Sequence, residues 1–212
     1  IFAAYPYLHI KAPKGSGKTQ CLSFLNQTCL NATKARASLP AMRDTVDSLR
    51  GTYLMDQADA LHRRNSEDLL DVLTDSYKRG GGDVRKMVAA DKGKGWNLEE
   101  FQAYGPKGFA SINALPEDLR DRCIIVALTR SGKNFNQLNE EDLIWKELRG
   151  KLYKLLIAYF SDVGMNYRAK ERQYRLDPSL IGRQLELWMP LEVLLELFGI
   201  TENKQKETKE RF

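Results

Sequence analysis

Up to about residue 133, short runs of consecutive apolar residues alternate with amphipathic stretches; from Asn139 onward only helical spacing remains. Tyr5-Pro6-Tyr7-Leu8-His9-Ile10 reads as a first strand, and Cys21, Leu22, Phe24, Leu25 and Cys29 mark one face of the helix after it. Residues 34–38 form a short second strand of poor propensity, and Pro40 opens a helix to about Leu49 that Gly51 ends. Thr52-Tyr53-Leu54-Met55-Asp56 is a buried strand closing on a carboxylate. Asn65-Ser66-Glu67-Asp68 caps a helix carrying Leu69, Leu70, Val72, Leu73 and Tyr77, which Gly80-Gly81-Gly82 breaks. Residues 84–88 and 100–104 are β-prone and flank a basic, glycine-bearing turn, the pattern of a hairpin. Residues 108–113 form a strand ending in polar residues, and Leu115-Pro116-Glu117-Asp118 starts a short helix. Cys123-Ile124-Ile125-Val126-Ala127-Leu128 is the strongest candidate for a fully buried strand.

Behind a cap formed by Asn139 and Asp142, Ile144, Leu148, Leu152, Leu155 and Tyr159 recur at helical spacing. Residues 166–175 read as a basic connector. Pro178 starts a further helix through Leu180, Ile181, Leu185 and Trp188, interrupted near Pro190 and resuming to Phe198-Gly199. The expected architecture is α/β: a three-layer sandwich with a five-stranded parallel core sheet over 1–133, an inserted β-hairpin, a C-terminal helical lid over 134–200, and a charged tail over 201–212. No internal repeat is evident.

Between the first strand and first helix stands Ala12-Pro13-Lys14-Gly15-Ser16-Gly17-Lys18-Thr19. Strand, glycine-bearing loop, Lys-Thr and helix is the order a phosphate cradle needs. Gly15 and Gly17 let backbone N–H groups turn onto an anion, and the helix N-terminus, from Lys18 through Gln20, adds its partial positive charge. Lys18 reaches β and γ phosphates and the Thr19 hydroxyl holds Mg²⁺, so ATP and Mg²⁺ are the expected cofactors. One letter departs from the Walker A pattern: its first glycine is Ala12.

The apolar strand ending at Asp56 is the matching Walker B candidate, with Asp56 orienting Mg²⁺ through its waters. The next residue, usually Glu in ATPases of this architecture, is Gln57. An amide positions water but accepts no proton near neutral pH, and losing general-base help costs about 10²–10⁴ in rate. Three explanations are open: an engineered Glu→Gln change, a naturally slow or inactive ATPase, or Asp59 acting as the base. Asn113, with Ser111 as understudy, is placed to sense a γ-phosphate; the alternative is that Asn113 caps the helix at Leu115.

Composition narrows the setting. The 212 residues carry a net charge of +5, which permits a nucleic-acid partner without requiring one. Cys21, Cys29 and Cys123 show neither metal spacing nor pairing and read as reduced thiols in a cytoplasmic protein; His9 and His62 supply no metal site. No apolar run is long enough to span a bilayer and no secretory signal is visible. The first residue is Ile rather than Met, and the expectation is a piece of a longer protein.

Together these pieces resemble an AAA+ ATPase of the superfamily 3 helicase type, similar to the ATPases fused to primase modules in phages, plasmids and other mobile elements. Beyond the Walker motifs, the resemblance is carried by Leu69-Leu70-Asp71-Val72-Leu73 with Tyr77-Lys78-Arg79-Gly80-Gly81, by Tyr104-Gly105-Pro106-Lys107-Gly108-Phe109-Ala110, by Leu115-Pro116 with Leu119-Arg120-Asp121-Arg122, and by Gly182-Arg183-Gln184-Leu185-Glu186-Leu187-Trp188-Met189-Pro190-Leu191. It covers roughly residues 5–199, with Ala12 and Gln57 as departures. It implies a ring, expected to be hexameric, with ATP between subunits. Arg122 is the first choice for the arginine that reaches a neighbour's site, Arg120 the second, and Arg183 a second sensor reaching from the lid toward the phosphates. The hairpin stands where such helicases line the central pore. Lys92 and Lys94 would track the phosphates of single-stranded DNA and Trp96 would stack on a base, with Lys78 and Arg79 as weaker DNA candidates. A primase or polymerase module is the expected partner; the alternative functions are a non-translocating switch or loader, or a nucleotide-binding module whose hydrolysis Gln57 impairs.

Overall fold

The computed structural model describes residues 1–36, 38–63, 66–89, 96–132, 136–176 and 182–199. In chain order these hold β1 (Tyr7–Lys11), α1 (Lys18–Thr28), β2 (Thr33–Ala35), α2 (Leu39–Arg43), β3 (Tyr53–Met55), α3 (Glu67–Asp75), β4 (Val84–Ala89), β5 (Trp96–Phe101), β6 (Lys107–Ser111), α4 (Glu117–Arg120), β7 (Cys123–Ala127), α5 (Ile144–Arg175) and α6 (Arg183–Leu197). Asp44–Ser48 extends α2 as a π turn, and Ala58–His62 is a 3₁₀ turn after β3. Asn65, Lys92, Lys94, Pro178 and the tail 201–212 lie outside the described residues.

Five strands form one parallel sheet in the order β2-β3-β6-β1-β7, and β4 and β5 form a separate antiparallel pair. Side chains alternate between two apolar layers, which is why the central strands read as unbroken apolar runs. Ile10, Leu54 and Ala110 face Leu22 of α1. Tyr7, Tyr53, Met55 and Phe109 face the opposite way, against Met42, Leu61, Leu69, Leu73 and Leu119. Buried Tyr7 satisfies its hydroxyl on the Leu73 carbonyl at 3.0 Å and on Ser76 Oγ at 3.2 Å. The expectation of an α/β fold with a five-stranded parallel sheet, helices on both faces and an inserted hairpin is met.

Several element readings are corrected. β1 starts at Tyr7, because the Tyr5 N–H is taken by the Tyr77 carbonyl at 2.8 Å beyond α3. β7 is an edge strand and only half buried, since β1 is its sole neighbour in the sheet. β5 starts at Trp96, four residues earlier than the β-prone stretch suggested, because Ala89 pairs with Trp96 and Val84 with Phe101. The supposed connector 166–175 is the last third of α5, a single 32-residue helix about 48 Å long. Two of its basic side chains are matched within the helix and by α6: Arg175 pairs with Glu171 at 3.0 Å, and Lys170 with Glu192 at 3.6 Å. Pro190 does not interrupt α6; the ring is fully buried, between buried neighbours Met189 and Val193.

α5 and α6 tie the C-terminal part back to the sheet. Trp145 meets Phe24 of α1 edge-on at 6.0 Å, and Arg149 donates to Gln27 Oε1 at 2.6 Å. Val163 and Tyr167 pack on Met189 and Val193, while Leu187 joins the core around Tyr7. Among the described residues no helix is long and apolar enough to cross a membrane.

Candidate functional site

Parallel strands deliver all their C-terminal ends to one edge of the sheet, and ligands of open α/β sheets bind in the crevice outside that edge. Here β3 and β1 flank β6, so the segments following the three strands meet there. They border a cleft of about 890 Å³, lined on one wall by Lys14, Gly15, Lys18 and Thr19 and on the other by Asp56, Gln57, Asp59 and Asn113.

The loop after β1 has the backbone its glycines foretell, with φ of +75° at Gly15 and +87° at Gly17, where a side chain would be strained. Lys18 folds back over the loop and donates to the carbonyls of Ala12 at 2.6 Å and Pro13 at 2.8 Å. The Ser16 hydroxyl is buried without a hydrogen-bond partner among the described residues. Thr19 is exposed at the cleft wall. Gln20 turns its side chain away, its Oε1 accepting the Leu138 N–H at 2.8 Å.

Asp56 Oδ1 accepts the Gln57 N–H at 2.9 Å, and Gln57 takes a left-handed backbone, φ 57° and ψ 46°, costly for a residue with a side chain. Asp59 receives three hydrogen bonds: Ile112 N–H at 2.9 Å on Oδ2, and Asn113 N–H at 2.9 Å and Asn113 Nδ2 at 3.0 Å on Oδ1. Burial pushes this carboxyl up, but these bonds outweigh it and hold the group below its ordinary value. Asp59 is therefore a weak base that anchors Asn113. From the sheet side, Ser111 Oγ donates to the Asn113 carbonyl at 2.6 Å, so it must accept from His9 Nε2–H at 2.7 Å. Burial and the Lys11 charge push His9 down to about 4, and its Nδ1 has no partner among the described residues.

The arginines differ from expectation. Arg122 does not project outward: it is 8% exposed, donates to the Asp118 carbonyl and lies over the Tyr77 ring at 5.1 Å. Arg120 is the solvent-facing member of the pair, 3.8 Å from Glu117. Arg183 does not reach its own cleft. It lies 3.6 Å from Asp121 and shares a pocket with Arg120 beside the start of β7, on the sheet edge opposite the loop between β1 and α1. The hairpin exposes Trp96, Leu98 and Met87 on one face. Lys78 pairs with Glu186 at 2.7 Å and Arg79 donates to the Phe2 carbonyl at 3.3 Å, so both hold the structure together.

Two cationic residues lining the cleft, and a third beside the loop that borders it, escaped sequence reasoning. Arg36 and Arg63 line it, and the Arg130 guanidinium lies against Gly15. Arg36 and Arg130 follow β2 and β7, so strand ends, once located, were the available signal.

Among the described residues no cluster of three His, Cys, Asp or Glu side chains is placed to hold a metal ion alone. Thr19 and Asp56 suit Mg²⁺ that keeps water and phosphate oxygens as its other ligands. No protein-family model matches the chain, and no curated protein matches it in sequence.

Proposed function

We propose that the chain is a P-loop ATPase of the AAA+ type, the motor of a superfamily 3-like DNA helicase that works as a hexameric ring on single-stranded DNA beside a primase or polymerase module. The observation carrying this reading is the convergence of Lys18, Thr19, Asp56 and Asn113 on one cleft at the C-terminal edge of the sheet. The loop residues Pro13 to Thr19 would wrap the phosphates with backbone N–H groups, and Lys18 would leave the Ala12 and Pro13 carbonyls to bind them. Thr19 and Asp56 would hold Mg²⁺, which would neutralise charge on the phosphates. Asn113, fixed by Asp59 and Ser111, faces the same space. Arg120, on the far edge, would act on a neighbouring subunit.

One observation favours a second reading, a nucleotide-gated switch with little turnover. Beside Asp56 stands an amide, Gln57, and the nearby carboxylate Asp59 is committed to three hydrogen bonds. Neither residue is a good proton acceptor.

ATPase assays of wild type and Gln57→Glu, with and without single-stranded DNA, separate the two. A motor shows DNA-stimulated hydrolysis once Glu is present. A switch oligomerises with Mg-ATP and ignores DNA. Absence of Mg-ATP binding to the wild type, indistinguishable from Lys18→Ala, removes both.

A further inference from the structure

We infer that Arg130 is a phosphate ligand acting within its own subunit, closing the loop between β1 and α1 from the side of β7; this rests on the reading of the cleft as a polyphosphate site. β7 pairs with β1 through Ala127 and Lys11, and the Leu128 N–H extends the pairing to the Lys11 carbonyl at 2.9 Å. Adjacent parallel strands thus deliver their next residues to the same place: the phosphate loop from β1, Arg130 from β7. Farther on, the Leu138 N–H on Gln20 holds the chain leaving β7 against α1.

The contact is intimate. A Cβ placed on Gly15 would stand 2.9 Å from Arg130 Nη2, 3.2 Å from Nε and 3.5 Å from Cζ, so the guanidinium lies along the loop. Gly15 is needed for its φ of +75°, and a side chain there would also push the guanidinium aside. Arg130 is exposed, and among the described residues no carboxylate or carbonyl pairs with it. A guanidinium beside loop amides and the N-terminus of an 11-residue helix places positive charge against positive partial charge. A phosphate between them turns that repulsion into attraction, and the planar fork of arginine suits two phosphate oxygens at once.

Calorimetric titration with Mg-ATP, Mg-ADP and inorganic triphosphate, on wild type, Arg130→Ala and Arg130→Lys, tests this. Arg130→Ala should weaken Mg-ATP about tenfold or more, the loss of a charge-assisted hydrogen bond. Arg130→Lys should recover only part of it, and the melting temperature without nucleotide should not move. Inorganic triphosphate losing affinity in parallel assigns the contact to phosphate rather than to base or ribose. Arg130→Ala binding Mg-ATP within twofold of wild type, while Lys18→Ala fails to bind, overturns the inference alone. Wild type failing to bind any of the three overturns the polyphosphate reading beneath it. If Arg130→Ala melts early, Arg130→Gln replaces it, and unchanged affinity there also overturns the inference.

Discussion

Asp59 Oδ1 accepts two hydrogen bonds from one residue, the backbone N–H of Asn113 at 2.9 Å and its side-chain amide at 3.0 Å. The carboxylate thereby fixes both the loop after β6 and the direction of the amide that faces the cleft.

Asp59→Ala should destabilise the fold by about 1–2 kcal/mol through three lost hydrogen bonds, measured by urea unfolding at pH 7. Because the folded carboxyl is held below its ordinary value, its contribution is fully present above the unfolded pKa and fades as pH falls through the folded one. Wild type should therefore lose stability below about pH 4 more steeply than Asp59→Asn. Equal acid profiles would show that the three bonds do not favour the ionised form.

Lys107 gives a pH effect of opposite origin. It is 2% exposed, donates to the carbonyls of Ala103 at 2.7 Å and Gly105 at 3.1 Å, and burial pulls it down to about 7. Between pH 7 and the ordinary lysine value the unfolded chain binds the extra proton, so this group makes stability rise with pH by up to about 1.4 kcal/mol per unit. Burial raises Cys29 and Cys123, which work the other way once unfolded thiols ionise. The difference between wild type and Lys107→Met from pH 7 to 9.5 isolates the lysine. A constant difference would mean it stays protonated.

Arg122 and Arg120 should separate cleanly. Arg122→Ala removes a buried guanidinium from Tyr77 and from the Asp118 carbonyl and should cost about 1–3 kcal/mol of stability. Arg120→Ala should leave melting and nucleotide affinity unchanged but lower ATPase activity in mixed assemblies with Gln57→Glu subunits. Unchanged activity in those assemblies would remove Arg120 from the neighbouring site.

Trp96→Ala should weaken single-stranded DNA about five- to a hundredfold, the usual worth of one stacked base, with Mg-ATP affinity intact. Loss of both would point to a folding defect in the hairpin instead.

Local chemistry was readable wherever a motif sat between recognisable elements. Lys18 and Thr19 follow a strand and open a helix, and Asp56 ends an apolar strand, so their positions at strand ends needed no tertiary information. That the segments after the three strands line one cleft required the strand order, which places β6 between β1 and β3 and is fixed only by tertiary pairing. Arg130 and Arg36 were missed for the same reason: a lone arginine has no pattern until its strand is placed. Residues 166–175 look like a connector because so many are charged, yet Tyr167 and Tyr174 pack on the cluster of Met189 and Val193 and carry the helix on. Pro190 argued against continuity, but packing at its buried position outweighs the missing backbone donor. Cys123 to Ala127 looked central because it is apolar throughout, whereas hydrophobicity alone cannot distinguish the middle of a sheet from its rim.

The two carbonyls gripped by the Lys18 ammonium, at 2.6 and 2.8 Å, have a bearing on selectivity. On the proposed polyphosphate reading, a ligand must displace both oxygens before that charge is released, so chloride and other singly charged solutes would compete poorly. Multiply charged species, arriving with several oxygens, would repay the exchange, and the cleft would discriminate by valence before shape.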